Sequence, residues 1–484
     1  MTPADGVLTG SFRDPSGFVF IQDGEVFRQV NRAGREHYDA LMTSGLYDAL
    51  VRDRLLIPHE ESDLALARTP EAYKVLKPAV VPFISYPYEW CFSRLKDAAL
   101  ATLAIQKRAF ERGLSLRDAS AFNIQFVDGQ PLLIDTLSFE RYREGEPWIA
   151  YGQFCRHFLA PLALMAYRDA RLGTLLSTHL DGIPLDLASR MLPWRTRLRF
   201  SLLIHVHLHA RSQRRHARDE RLETRGRKVS RLGFAGIVDS LESAVKRLRY
   251  EPAGTDWADY YDDTNYTPEA LAAKERLVGA FLDRLRPKVV WDLGANTGRF
   301  SRLAAARGAL TVAADSDVAA VERAYLDVKS RGETRVLPLV IDLANPTPAV
   351  GWENAERASF LSRGPADAAL ALALVHHLAI ANNVPLDAVA RFFARVARAL
   401  VVEFVPKSDS QVKRLLATRE DLFPDYTREG FERAFAGVFV IEDSAPVPGT
   451  ERTLYLMRRR DCPVMRLERH DGTVPESGPS LPRR

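Results

Sequence analysis

The stretch Val289-Val290-Trp291-Asp292-Leu293-Gly294-Ala295-Asn296-Thr297-Gly298-Arg299-Phe300-Ser301 constrains the fold more than any other part of the chain. Its apolar start has the character of a buried strand. Gly294 and Gly298 permit a sharp turn at positive φ and close approach of a ligand, since glycine has no Cβ. The residues from Arg299 onward then begin a helix. About 17 residues beyond Gly298, a second apolar run, Thr311-Val312-Ala313-Ala314, ends in Asp315. An α/β nucleotide site places a carboxylate for ribose hydroxyls at that point.

The run from Asp292 to Gly298, followed by Ala313-Ala314-Asp315, resembles the first two motifs of class I S-adenosylmethionine-dependent methyltransferases. A nicotinamide site with its G-x-G-x-x-G fingerprint is the competing reading. Here Asn296 stands where the second glycine would fall, and the strand ends in Asp292, which would repel a pyrophosphate but suits a cationic sulfonium. The resemblance implies S-adenosylmethionine as cofactor. It sets Asp292, Gly294, Asn296 and Gly298 around the methionine portion, Asp315 on the ribose hydroxyls and Asp342 on the adenine amino group. It also implies that Leu374-Val375-His376-His377-Leu378, after the fourth strand, faces the methyl donor. His376 or His377 is then a candidate base, since imidazole titrates near working pH, or else shapes the cofactor wall. Glu403, at the end of the fifth strand, is the other candidate base.

A chain of 484 residues exceeds one ordinary core and predicts at least two domains. The patterning predicts an N-terminal α+β domain over 1–194, a basic helical connector over 195–255, an α/β domain over 256–460 and a disordered tail over 461–484. In the third of these, Thr267 and Pro268 signal a helix start, and apolar runs at 289–293, 311–314, 336–341, 368–372 and 400–405 alternate with helical periodicity. With a closing pair at 438–442 and 452–457, the expectation is a seven-stranded Rossmann-like sheet whose last strand is antiparallel, as in the methyltransferases that the motifs resemble.

Sixty-seven basic residues face 62 acidic ones, a net charge of +5 too balanced to specify a partner by itself. The exception is local. Between Arg195 and Arg231, a dozen Lys/Arg meet three acids, which reads as a solvated helical link or as contact with an anionic partner. His205, His207 and His209 alternate there and would share one face of a strand. Cys91, Cys155 and Cys462 are odd in number and far apart, consistent with a reduced cytoplasm. The start of the chain lacks a secretory pattern, and no apolar run is long enough for membrane insertion.

In the N-terminal half, Asp23-Gly24 and Asp128-Gly129 sit between apolar runs and predict two hairpins. Leu95, Ala98, Ala99, Leu103 and Phe110 predict the buried stripe of a helix. Arg117-Asp118-Ala119-Ser120-Ala121-Phe122-Asn123, with Asp135 beyond, resembles the catalytic loop and metal-binding Asp of kinase-like enzymes, with Leu116 in place of His and Asp135-Thr136-Leu137 in place of D-F-G. That resemblance would make Asp118, Asn123 and Asp135 a nucleotide-magnesium site; the other reading gives them turn-forming roles. Together with Leu374-Val375-His376-His377-Leu378, the stretches around Asn123 and Asp135 also resemble bacterial nodulation-protein-type methyltransferases with a long N-terminal extension.

The function expected is methyl transfer from S-adenosylmethionine to an unidentified acceptor, a small molecule or saccharide in first place, with RNA or protein open. Competing readings are a binding or regulatory protein that retains the pocket, and a bifunctional protein with a kinase-like N-terminal half. No metal site is expected in the α/β domain, and the oligomeric state is not legible.

Overall fold

The computed structural model describes residues 5–216, 228–252, 266–417 and 420–460. The chain opens with β1 (Gly6–Val7), β2 (Gly17–Gln22), β3 (Glu25–Asn31), β4 (His59–Ser62) and β5 (Ala72–Pro78), an antiparallel sheet in the order β1-β2-β3-β5-β4. β2 and β3 turn at Asp23-Gly24, where φ is 52° and 76°, the positive values that a two-residue hairpin matched to strand twist requires. The long helix Phe92–Glu111 buries the expected Leu95, Ala98, Ala99 and Leu103. After it, β6 (Leu114–Leu116) pairs with β9 (Phe139–Arg141), and they flank the second expected hairpin, β7 (Ile124–Val127) with β8 (Gln130–Leu133).

The C-terminal sheet has seven strands: β10 (Val289–Leu293), β11 (Leu310–Asp315), β12 (Val336–Val340), β13 (Ala366–Ala371), β14 (Ala397–Phe404), β15 (Phe439–Pro446) and β16 (Thr453–Arg459). Their order is β12-β11-β10-β13-β14-β16-β15, and β10 to β14 run parallel. β16 lies antiparallel to both β14 and β15. Strand order reverses between β10 and β13, and at such a reversal the connections leave in opposite directions, opening a crevice at the carboxyl ends of the strands.

The basic connector departs from a solvated link. Leu202, Val206 and Ala210 are buried, and helix Arg231–Arg247 buries Phe234, Val238, Leu241 and Val245. Phe234 stacks on Phe110 at 4.5 Å, and Lys107 bridges Asp239 and Glu242 at 2.6 Å. Apolar residues at helical spacing outweigh the charge bias. The histidines are helical as well: His205 and His207 lie in a π-helical turn, so residues two apart do not share a face. His205 bonds Tyr151 and Ser240, and His207 bonds Ser189 and Thr196. Residues 217–227 of the basic run, residues 253–265 and the tail from 461 lie outside the described residues. Among the described residues, no helix is long and apolar enough to cross a membrane.

Polar pairs, buried or partly so, join the N-terminal elements to the seven-stranded sheet. Arg363 grips Glu89 through two bonds of 2.5 and 2.9 Å, with both side chains almost wholly buried. Arg94 donates to the Pro338 carbonyl in β12 at 2.6 Å, its guanidinium over the rings of Phe126 and Tyr325. Arg13 clamps Glu356 at 2.7 and 2.8 Å, and the Ser93 amide and hydroxyl both donate to Glu322. One apolar cluster runs across this junction, from Trp90, Leu95 and Phe126 to Trp291, Tyr325 and Leu339.

Candidate functional site

At the carboxyl ends of β10 to β13 lies a cavity of about 320 Å³. Its first wall is the turn after β10, where Gly294, Asn296 and Gly298 all take positive φ, 77°, 52° and 82°. A Cβ at Gly294 would come to 3.4 Å from the Leu374 side chain on the opposite wall, besides straining the backbone. The Gly294 and Ala295 amides donate to the Ala314 carbonyl, which fastens the turn to β11.

Three carboxylates end successive strands and line the cavity. Asp292, on β10, is 3% exposed and accepts from the Ser301 hydroxyl at 2.6 Å. Burial, with a smaller contribution from the nearby Asp315 charge, pushes its pKa up to about 7. Asp315, on β11, accepts from the Asn296 amide at 2.7 Å and the Asp317 amide at 2.9 Å; burial raises its pKa too. It therefore ties the glycine turn to the next loop while facing the cavity. Asp342, just past β12, accepts from the Ala344 amide at 2.8 Å. Gly298 does not line the cavity; it begins helix Arg299–Ala305.

The fourth wall comes from the segment after β13, where Ala373 takes φ +51° and a π-helical turn spans His377–Ala381. A non-glycine at positive φ and a π-turn are both costly and collect at functional sites. His377 lines the cavity; His376 does not. His376 is 1% exposed with its ring 4.1 Å from that of His377, and burial drives its pKa far down. Burial and the Arg452 charge lower the His377 pKa to about 4, so both rings are neutral near pH 7.

Glu403, at the end of β14, is fully buried and not among the lining residues. It accepts from Lys274 at 2.7 Å and from the Tyr266 hydroxyl. Burial alone would raise its pKa, but the Lys274 and Arg452 charges outweigh that and hold the carboxylate below its usual range. Tyr266 also accepts from Lys274 at 3.1 Å and Arg452 at 2.9 Å, and Arg452 pairs with Asp409. The carboxylate is thus buried and ion-paired within the protein, away from the cavity surface.

Lys274 and Tyr266 line the cavity, and Lys274 is not a residue that the sequence pattern singles out as part of a site. The signal was present for Lys274. Ala270, Lys274, Val278 and Leu282 follow at four-residue steps along one helix face, so a charge stands in the middle of an apolar stripe.

Asp118, Asn123 and Asp135 do come together. Asn123 hydrogen-bonds Asp118, and the Asp135 charge is close enough to add to burial in raising the Asp118 pKa. Asp118 also accepts from the Ser120 amide and from Gln153, and Asp135 pairs with Arg28 of β3 at 2.5 Å.

No protein family profile matches the chain. Nodulation protein NoeA of Rhizobium meliloti (strain 1021) is 34% identical over 466 residues, 95% of this chain and 97% of NoeA. Similar solved structures include magnesium protoporphyrin IX methyltransferase (ChlM) from Synechocystis PCC 6803 with bound SAH, at 18% identity and TM-score 0.31 over 42% of this chain and 92% of that one. N-methyltransferase NodS from Bradyrhizobium japonicum WM9 shows 10% identity and TM-score 0.31 over 40% and 98%. The bifunctional kinase-methyltransferase WbdD shows 17% identity and TM-score 0.29 over 43% of each chain.

Proposed function

The chain belongs to the family of nodulation protein NoeA, and from that premise we propose that it is an S-adenosylmethionine-dependent methyltransferase of the cytoplasm acting on a small molecule or saccharide. The observation that carries this reading is the cavity at the strand-order reversal, where Asp292, Asp315 and Asp342 end three parallel strands beside the Gly294 turn. Its volume lies at the lower end of small-molecule sites, and it combines apolar walls with a few convergent polar groups.

In this reading Asp292, Gly294 and Asn296 hold the methionine portion, with Gly298 shaping the turn behind them. Asp315 accepts from the ribose hydroxyls and Asp342 from the adenine amino group. Bound there, the cofactor supplies an electrophilic methyl on a sulfonium. The chain's own residues align the acceptor, exclude water and receive a proton. His377 is the candidate for the last task, because its neutral ring faces the cavity while His376 is shut behind it. The N-terminal half braces the sheet, through the pairs of Glu89 with Arg363 and Arg13 with Glu356.

Calorimetry with S-adenosylhomocysteine tests the pocket. Gly294→Val with Asp315→Ala should abolish binding while leaving the circular dichroism spectrum unchanged, and equal binding by wild type and variant would remove the assignment. Comparing metabolites of cells with and without the gene, for a feature differing by one methyl group, addresses the acceptor.

A further inference from the structure

The basic connector presents a surface that the cofactor cavity does not use. Between Asp186 and Asp219 the sequence holds eight arginines, no lysine and no acid. Within that run, Trp194-Arg195-Thr196-Arg197-Leu198-Arg199-Phe200 intersperses large apolar residues with arginines. Thr196 is the anchor. It is fully buried, its hydroxyl donates to the Pro193 carbonyl at 2.6 Å and bonds His207 Nε2 at 2.9 Å, and His207 Nδ1 meets the Ser189 hydroxyl at 2.8 Å. Leu192 and Leu202 are buried on either side. The 3₁₀ turn Trp194–Leu198 is therefore fixed to the body of the protein from within.

What this anchor leaves outside is apolar. Trp194, Leu198 and Phe200 are 73%, 74% and 72% exposed, and Arg195, Arg197 and Arg199 are exposed among them. One exposed apolar side chain is ordinary, but three large ones within seven residues form a patch that calls for a partner. None of the three arginines has a side-chain hydrogen bond or an ion pair among the described residues.

The mixture of residue types discriminates among partners. The phosphates of a nucleic acid would engage the arginines but leave Leu198 in water. A bilayer with anionic headgroups satisfies both sets at once, because phosphates meet the guanidinium groups while the apolar side chains enter the acyl boundary. Trp suits that boundary, its ring being apolar with one polar N–H.

We propose that the segment from Trp194 to Phe200 docks this protein peripherally on an anionic lipid bilayer. The proposal concerns where the protein works and holds for any methyl acceptor, since the cofactor cavity shares no lining residue with this segment.

Sedimentation of the full-length protein with vesicles tests it. Vesicles of phosphatidylcholine mixed with phosphatidylglycerol should carry the protein down, and vesicles of phosphatidylcholine alone should not. Replacing Arg195, Arg197 and Arg199 together by Gln should weaken partitioning about 10- to 100-fold, since each basic residue near an anionic surface contributes about fivefold. Trp194→Ser with Leu198→Ser and Phe200→Ser should weaken it by about tenfold or more. Both variants should keep the wild-type circular dichroism spectrum, because all six side chains are exposed. Trp194→Phe supplies a second readout: an apolar ring remains and binding is largely kept, but quenching of tryptophan fluorescence by brominated lipid should fall sharply. Equal sedimentation with both kinds of vesicle, or with neither, would overturn the proposal. Loss in the arginine variant without loss in the apolar one, together with tighter binding to a single-stranded oligonucleotide than to vesicles, would overturn it in favour of nucleic acid. Lipid quenching unchanged in Trp194→Phe would put another part of the chain at the bilayer and overturn the assignment to this segment.

Discussion

Two groups of carboxylates in this molecule look alike on paper, and their surroundings set them apart. Asp292, Asp315 and Asp342 end parallel strands and face a cavity of about 320 Å³, so part of their hydrogen-bonding capacity points at open space. Asp118 and Asp135 sit at the ends of short antiparallel strands, and there the protein supplies the partners. The Ser120 amide and Gln153 donate to Asp118; Arg28, the Leu137 amide and the Ser138 hydroxyl donate to Asp135. Spacing along the chain assembles such a cluster, but which side of it stays unpaired decides whether it waits for a ligand. In the first group the fold leaves Asp292 without a counter-charge, whereas in the second Arg28 provides one.

The largest expected effect tests whether the N-terminal half braces the sheet. Glu89→Ala would leave the Arg363 guanidinium buried and unpaired at the junction, where the two side chains are 1% and 6% exposed. Breaking a buried pair from one side costs about 3 to 5 kcal/mol, so urea unfolding should show a loss of that size. S-adenosylhomocysteine affinity should weaken as well, since Arg363 lies in the β12–β13 connection that begins at Asp342. A loss below about 1 kcal/mol would mean that the junction contributes little and that the two halves stand separately.

A somewhat smaller effect distinguishes the cavity's carboxylates by pH. The Asp292 pKa is raised from 3.8 to about 7 by burial, so the folded ligand-free protein holds this proton more tightly than the unfolded chain. The contribution is fully present below about pH 4 and is lost as pH rises to about 7, by up to about 4 kcal/mol. Asp292→Asn should flatten that part of the stability profile. In the wild type, S-adenosylhomocysteine affinity should rise from pH 5 to 7 as Asp292 ionises to meet the ligand ammonium. An affinity independent of pH over this range would show that Asp292 does not face a cation.

Much of the architecture was legible because its signals are local. The Asp23-Gly24 and Asp128-Gly129 turns need positive φ at both positions, and those residue types tolerate it. Apolar runs marked β10 to β14, since strands covered on both faces carry little polar residue. β4 was not legible: His59-Glu60-Glu61-Ser62 is polar throughout and lies at a sheet edge. Glu403 was legible as a carboxylate at a strand end, the position of a base. What the sequence does not show is its ion pair with Lys274, 129 residues away in sequence and adjacent only through the helix that packs over β14. The same non-local contact hid Lys274, because a lysine in an amphipathic helix is ordinarily assigned to solvent. Neighbours within about four residues set turns and stripes, whereas the partner of a buried charge is set by the sheet.

The smallest expected effect lies in the second carboxylate group and returns to the comparison directly. A nucleotide-magnesium site at Asp118, Asn123 and Asp135 would have to displace Arg28 from Asp135, where both side chains are largely buried and 2.5 Å apart. It would also have to compete with the amide, hydroxyl and glutamine donors already bonded to the carboxylates. Full-length protein with magnesium and ATP should therefore melt within about 1 °C of protein without them, since only a ligand that binds the folded state raises its stability. Asp135→Asn should lower the melting temperature by the same amount with and without ATP, because it weakens the Arg28 pair and touches no ligand; about 1 to 3 kcal/mol is expected for a hydrogen-bonded charge of this burial. A magnesium-dependent stabilisation of several degrees that disappears in Asp135→Asn would reverse the contrast. It would show that Arg28 yields to a metal and that both carboxylate groups wait for ligands.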